Sequence, residues 1–158
     1  MDGPDLAALD AFWRRFTEAH PEYASDAIPP AWSFGDSAEM ADELLELVIA
    51  GPKRATAGAL ADYLDEGEPV PAVGALSVLL DGASRPRAVI VTTDVRVGPL
   101  SSVDDRFASD EGEGDRTRAW WLDAHDRYFR RWFAAVGRDF HPDIDVVFER
   151  FELVYHEP

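Results

Sequence analysis

Leu6, Leu9, Phe12, Trp13 and Phe16 recur at helical spacing and His20-Pro21 closes the run, so the pattern predicts a first amphipathic helix over residues 5–19. The periodicity is then lost. Pro21, Pro29 and Pro30 hold residues 20–35 mostly extended, and Trp32 and Phe34 pin that loop onto the body. Asp36-Ser-Ala-Glu39 offers a capping side chain with a Glu three residues on. It precedes Met40, Ala41, Leu44, Leu45, Leu47 and Val48, which predict a second helix ending at Gly51-Pro52, where proline cannot extend it.

Beyond Pro52 the pattern predicts a short strand over 54–57 and a helical turn over 59–64 that runs into a Gly67, Pro69, Pro71 loop. Residues 75–80 and 87–97 flank Asp81-Gly82. The second run carries Val89, Ile90, Val91, Thr92, Thr93, Val95 and Val97, so the two read as strands of a hairpin with a longish loop. Ser101 or Ser102 caps a short helix carrying Val103 and Phe107, and Glu111-Gly-Glu-Gly-Asp115 is too flexible for regular structure. Helical spacing resumes over 117–136, with Trp121, His125, Phe129, Trp132, Phe133 and Val136 on one face and a stop at Gly137; residues 146–155 form a closing strand. A few strands broken by helices, without regular alternation, predict an α+β fold with a small curved sheet or barrel decorated by helices. No internal repeat or shift in composition marks a second domain, so residues 1–158 read as one domain.

Composition supports this picture. A chain of 158 residues is long enough to bury roughly 70% of its unfolded surface, and one core is expected. Nine Phe, five Trp and four Tyr are available to fill it. The absence of cysteine excludes disulfides and thiolate metal sites and fits a reducing compartment. The acidic start lacks the basic, apolar pattern of a signal peptide and no run is long enough for a membrane span, so a cytoplasmic protein without a membrane partner is expected. The net charge of −16 opposes long polyanions, since affinity for them comes from Lys and Arg on phosphates; DNA is not an expected partner. A small ligand, or a short nucleotide in a locally basic cleft, remains compatible. His20, His125, His141 and His156 lack the paired spacing of a helical metal site, so neither zinc nor another cofactor is expected. His125 reads as a core or rim histidine of the long helix.

Fourteen of the fifteen basic residues are Arg, and Lys53 is the single lysine. Arg stays protonated, whereas a buried lysine can titrate, so Lys53 is the group on which chemistry would centre. It lies in Gly51-Pro52-Lys53-Arg54-Ala55-Thr56. Along an extended stretch Lys53 and Thr56 project to opposite faces, and they meet only if the chain turns between them. A Thr hydroxyl becomes nucleophilic when a base takes its proton, and a nearby carboxylate completes such a constellation. Asp110, Glu111, Glu113 and Asp115 are the candidates. Tyr63, Trp120 and Trp121 offer faces on which a planar base can stack, at least one of the adjacent tryptophans being less buried. Arg54, Arg116 and Arg118 are placed to make the cleft basic or to pair with carboxylates.

Trp32-Ser-Phe-Gly-Asp36, the helix over 41–50, Gly51-x-Lys53-x-Ala55-Thr56, Thr92-Thr93-x-Val95 and Glu111-Gly-Glu-Gly-Asp115-Arg116, in that order, resemble the ASCH domain family. The likeness runs from about residue 30 to 156 and leaves residues 1–30 as an N-terminal helical extension. It implies a PUA-like small β-barrel with helices around its mouth. It also implies two functions. Some bacterial members hydrolyse the acyl amide of N4-acetylcytidine through a Lys, a Thr three residues later and a downstream Glu, which here are Lys53, Thr56 and Glu111, with Glu113 the rival for the carboxylate. Either Thr56 attacks the acyl carbon, or Lys53 and Glu111 activate water while Thr56 binds the oxyanion. Gly58 stands where those amidohydrolases carry a basic residue. Other members are described as RNA-binding or as ribonucleases, which implies short RNA as the alternative partner. The sequence leaves the oligomeric state open.

Overall fold

A computed structural model describes residues 3–158; Met1 and Asp2, part of the acidic start, lie outside the described residues. Helix α1 (Leu6–Ala19) begins where the Asp5 carboxylate accepts the Ala7 amide. Strand β1 (Ala31–Trp32) is followed by α2 (Ala38–Ala50), β2 (Ala55–Ala59), α3 (Leu60–Glu66), β3 (Leu76–Leu80) and β4 (Pro86–Pro99). Helices α4 (Asp105–Glu111) and α5 (Arg118–Ala135) then lead to β5 (Asp145–His156). The five strands form one sheet in the order β1-β3-β4-β5-β2. It is mixed: β1 runs parallel to β3, whereas β3 with β4 and β2 with β5 are antiparallel.

The fold is therefore α+β, but the implied barrel is not formed. β1 and β2 are the two edges of an open sheet, with no ladder joining them. Two helix starts also differ from expectation. The cap of α2 is Ser37, which accepts the Met40 amide at 3.1 Å, not Asp36. The cap of α4 is Asp104, not Ser101 or Ser102, which lie in a 3-10 turn. Glu111 belongs to the last turn of α4 rather than to a flexible loop. Val136 sits past the end of α5 and is exposed.

The chain divides into two compact units. The first holds the chain up to Gly51, Gly74–Val91 and Glu152–Pro158. In it Leu9, Phe12, Trp13 and Phe16 of α1 bury against Val78, Leu80 and Val89 of the hairpin. The second holds Pro52–Val73 and Thr92–Phe151. There Ala55 and Ala59 of β2, Val146 and Phe148 of β5, and Phe107, Trp121, Phe129 and Phe133 of α4 and α5 form a separate cluster. One core was expected and two clusters are found. No helix among the described residues is long and apolar enough to cross a membrane.

Candidate functional site

The second unit carries Lys53, which leads into β2 and is only 1% exposed. Its Nζ donates to the Oε2 atoms of Glu111 at 3.1 Å and Glu113 at 3.0 Å, and to the carbonyls of Ala55 at 2.9 Å and Glu111 at 3.3 Å. The side chain folds back along its own strand. Its Ala55 acceptor belongs to the peptide that precedes Thr56, but Thr56 itself is not among these bonds. Burial is the strongest single influence on Lys53 and pulls its pKa down, but the charges and hydrogen bonds of Glu111 and Glu113 together outweigh it. The amine is held as an ammonium ion.

Both carboxylates reach one point because Gly112, with φ 74°, closes α4 in the left-handed conformation and turns the chain between them. A side chain there would start 2.7 Å from the Lys53 amide nitrogen, so the two backbones touch. The Arg54 amide donates to the Asp110 carbonyl at 2.7 Å, and the Arg54 carbonyl accepts from Phe151 at 3.0 Å. Arg150 binds the Asp110 carboxylate. Beyond the turn, the Trp120 ring lies against Gly114, where a Cβ would come within 2.1 Å of it.

The two glutamates differ. Glu111 is 1% exposed and Glu113 is 18% exposed at its side chain. Burial, then the hydrogen bond with Glu111, push Glu113 up to about 7 although Lys53 pulls the other way. The second oxygen of Glu111 receives no hydrogen bond and lies 3.7 Å from His125 Nε2. His125 stacks on Trp121 with ring centroids 3.8 Å apart, and its Nδ1 is 2.9 Å from the Trp121 carbonyl. A carbonyl only accepts, so Nδ1 carries the proton and Nε2 turns a lone pair toward Glu111. Burial lowers His125 to about 4, and the ring is neutral at neutral pH. One ligand atom each from Glu111, Glu113 and His125 lie within 4.8 Å of one another, a donor set suited to a divalent ion. The Lys53 ammonium already bridges those carboxylates and supplies the positive charge.

Thr56 is half-buried and stands opposite Glu149 in the β2–β5 register, so their side chains share a sheet face. Tyr63 covers the same face at Gly58. Of the arginines, Arg54 donates to the Lys53 carbonyl at 2.7 Å, Arg116 to the Ser109 carbonyl at 2.9 Å, and Arg118 to those of Val103 and Ser101 at 2.6 and 2.7 Å. All three bind main-chain carbonyls, that of Arg116 belonging to helix α4. Trp120 is the less buried tryptophan, while Trp121 is enclosed beside Phe107 and Phe148 and offers no open face. The sequence reading gave Glu149 no role and took His125 for packing. The signal for Glu149 was a carboxylate alternating with Val147 and Phe151 inside an apolar strand.

A model of the ASCH domain matches residues 30–155. The chain belongs to the ASCH domain family. Two solved structures are similar throughout. The ASCH domain of Lactobacillus crispatus JV V101 is 29% identical over 99% of each chain, with a TM-score of 0.85. Protein EF3133 of Enterococcus faecalis V583, of family DUF984, is 37% identical over 95% of this chain and 90% of its own, also with a TM-score of 0.85. No curated protein matches the chain. Helix α1 precedes the matched residues, and the similarity to both structures covers nearly all of this chain.

Proposed function

We propose that this ASCH domain hydrolyses the acyl amide on the exocyclic nitrogen of an acylated cytidine nucleoside such as N4-acetylcytidine. The observation that carries the reading is Lys53, fully buried with its ammonium between Glu111 and Glu113 and one peptide from Thr56. Such a cluster holds positive charge and a proton acceptor, to which the reading adds the Thr56 hydroxyl of the same strand, the parts that addition of water to a carbonyl requires.

Because Lys53 is held as an ammonium ion, it serves as an electrostatic donor, and a carboxylate is the base. Glu111 anchors the ammonium. Glu113, the more exposed carboxylate, takes a proton from water as the oxygen bonds to the acyl carbon. The Thr56 hydroxyl donates to the oxyanion, and the charge of the Lys53 ammonium stabilises it. Collapse breaks the carbon–nitrogen bond, the Glu113 proton passes to the departing exocyclic nitrogen, and the products are the carboxylic acid and cytidine.

N4-acetylcytidine and a labelled single-stranded RNA incubated with the same preparation separate this from the RNA reading. Release of cytidine and acetate is expected, falling by ~10³-fold in Lys53→Arg, whose planar guanidinium does not reproduce a compact ammonium, and by ~10²-fold in Thr56→Val. Cleavage or tight, salt-resistant binding of the RNA without nucleoside turnover overturns the proposal. The net charge of −16 is unfavourable to that outcome.

A further inference from the structure

On the face of β2 and β5 that carries Thr56, a second buried carboxylate remains outside the Lys53 cluster. Glu149 is 3% exposed. The apolar residues around it, Val147 and Phe151 on its own strand, are buried as deeply. Its side chain receives one hydrogen bond, from Thr92 Oγ1 to Oε2 at 2.9 Å, and among the described residues no cation pairs with it. This stands out in a chain with fourteen arginines, one of which, Arg150, follows directly and turns to Asp110 on the other face. A carboxylate taken out of water without a cation or a full set of donors is costly: burial raises the Glu149 pKa, and the Thr92 hydroxyl offsets only part of that. Hydrophobic residues of similar volume would serve packing better.

The placement has three further parts. The antiparallel register sets Glu149 directly opposite Thr56, the residue to which the reading above gives the oxyanion. Thr92 holds Oε2 and thereby fixes the rotation of the carboxylate, leaving Oε1 for another donor. Tyr63 brings its ring against Gly58, where a Cβ would lie 3.4 Å from Cε2, and the burial and charge around Tyr63 include the charge of Glu149. An oriented acceptor, an aromatic ring and a neighbouring hydroxyl form the set that reads a planar heterocycle by its N–H edge.

We propose that Glu149 is a substrate-reading carboxylate whose open oxygen accepts the exocyclic N–H of an aminopyrimidine nucleoside, with Thr92 as its positioning residue and Tyr63 beside the ring. The choice of an aminopyrimidine rests on the nucleoside reading above; the carboxylate's role as acceptor of a ligand N–H rests on the geometry of this face. Losing a hydrogen bond to a buried carboxylate acceptor costs ~10-fold or more in affinity.

The test uses binding rather than turnover, with cytidine and N4,N4-dimethylcytidine titrated calorimetrically into the full chain, so that it stands apart from hydrolysis. The wild-type protein is expected to bind cytidine at least ~10-fold more tightly than the dimethyl compound, and Glu149→Leu is expected to bind both alike. Should Glu149→Leu fail to fold, Thr92→Val, which releases the orientation of the carboxylate, is expected to narrow the same ratio. A ratio that survives in the folded variant comes from steric exclusion of the methyl groups and overturns the proposal, as does a wild-type protein that binds neither compound. Absence of N4-acetylcytidine hydrolysis with the ratio intact would refute the hydrolase reading and leave this inference standing.

Discussion

Gly112 is where a single methyl group would matter most. Its φ of 74° already disfavours any other residue, and an added Cβ would meet the main chain of Pro52 and Lys53 at 2.7 Å rather than a movable side chain. Gly112→Ala is therefore expected to destabilise the protein by roughly 2–4 kcal/mol, from left-handed strain and overpacking together. Gly114→Ala, at φ 57°, shares the left-handed strain, but the obstacle its Cβ meets is the movable Trp120 ring. The indole can swing outward, so a cost of roughly 1–2 kcal/mol is expected. Urea melts followed by tryptophan fluorescence check both: the Gly114 variant should show a red-shifted native spectrum, and an equal midpoint for the two variants would contradict the argument. At this scale the sequence disclosed Lys53 by its rarity, and Glu111 and Glu113 among four candidate carboxylates, singled out by the resemblance to the ASCH family. Glu149 stayed hidden because its meaning depends on which residue the partner strand places opposite it. His125 stayed hidden because stacking on Trp121 and facing Glu111 leave the same helical spacing as ordinary packing.

The β3–β4 hairpin shows how a polar group fixes an element. Asp81 is buried at the start of its loop and accepts the amides of Ala83 and Arg85 and the Arg85 guanidinium, each at 2.9 Å. Burial is the largest influence and raises its pKa, but the donors together outweigh it and hold the carboxyl below its ordinary range. A carboxylate depressed in the folded state stabilises the protein above its unfolded pKa of about 3.9, and that contribution is lost as pH falls through the folded value. Asp81→Asn is thus expected to cost roughly 1–3 kcal/mol at neutral pH and progressively less in acid. Thermal melts of both proteins between neutral pH and about pH 3 give the comparison; a constant gap would show that the charge is not what matters. The hairpin and α1 were legible because periodicity is local. The helix caps were off by one or a few positions where adjacent residues, Asp36 and Ser37, can each cap and only the backbone decides. Strand β1 was not legible: two residues carry no period, and their ladder is made with β3, more than forty positions along the chain.

For the molecule as a whole, the α+β class followed from the mix of periods, whereas closure of the sheet did not. Closure depends on whether β1 and β2 meet, a long-range pairing that neither strand's sequence encodes; they remain edges, and both are short, which limits pairing with other chains. The burial of Lys53 has a consequence of another kind. A protease that cuts only after lysine has one bond to attack in this chain, and in the native state that residue is enclosed. Digestion should therefore wait on opening of the Lys53 slot, and its rate measures the free energy of that opening when reclosing is fast. Glu113→Gln removes a charged partner from the ammonium while keeping the side chain's shape. It is expected to speed single-site cleavage by at least ~10-fold while a surface change such as Arg127→Gln does not. Equal rates would mean that the Lys53–Arg54 bond is reached by a local motion that leaves the carboxylates in place.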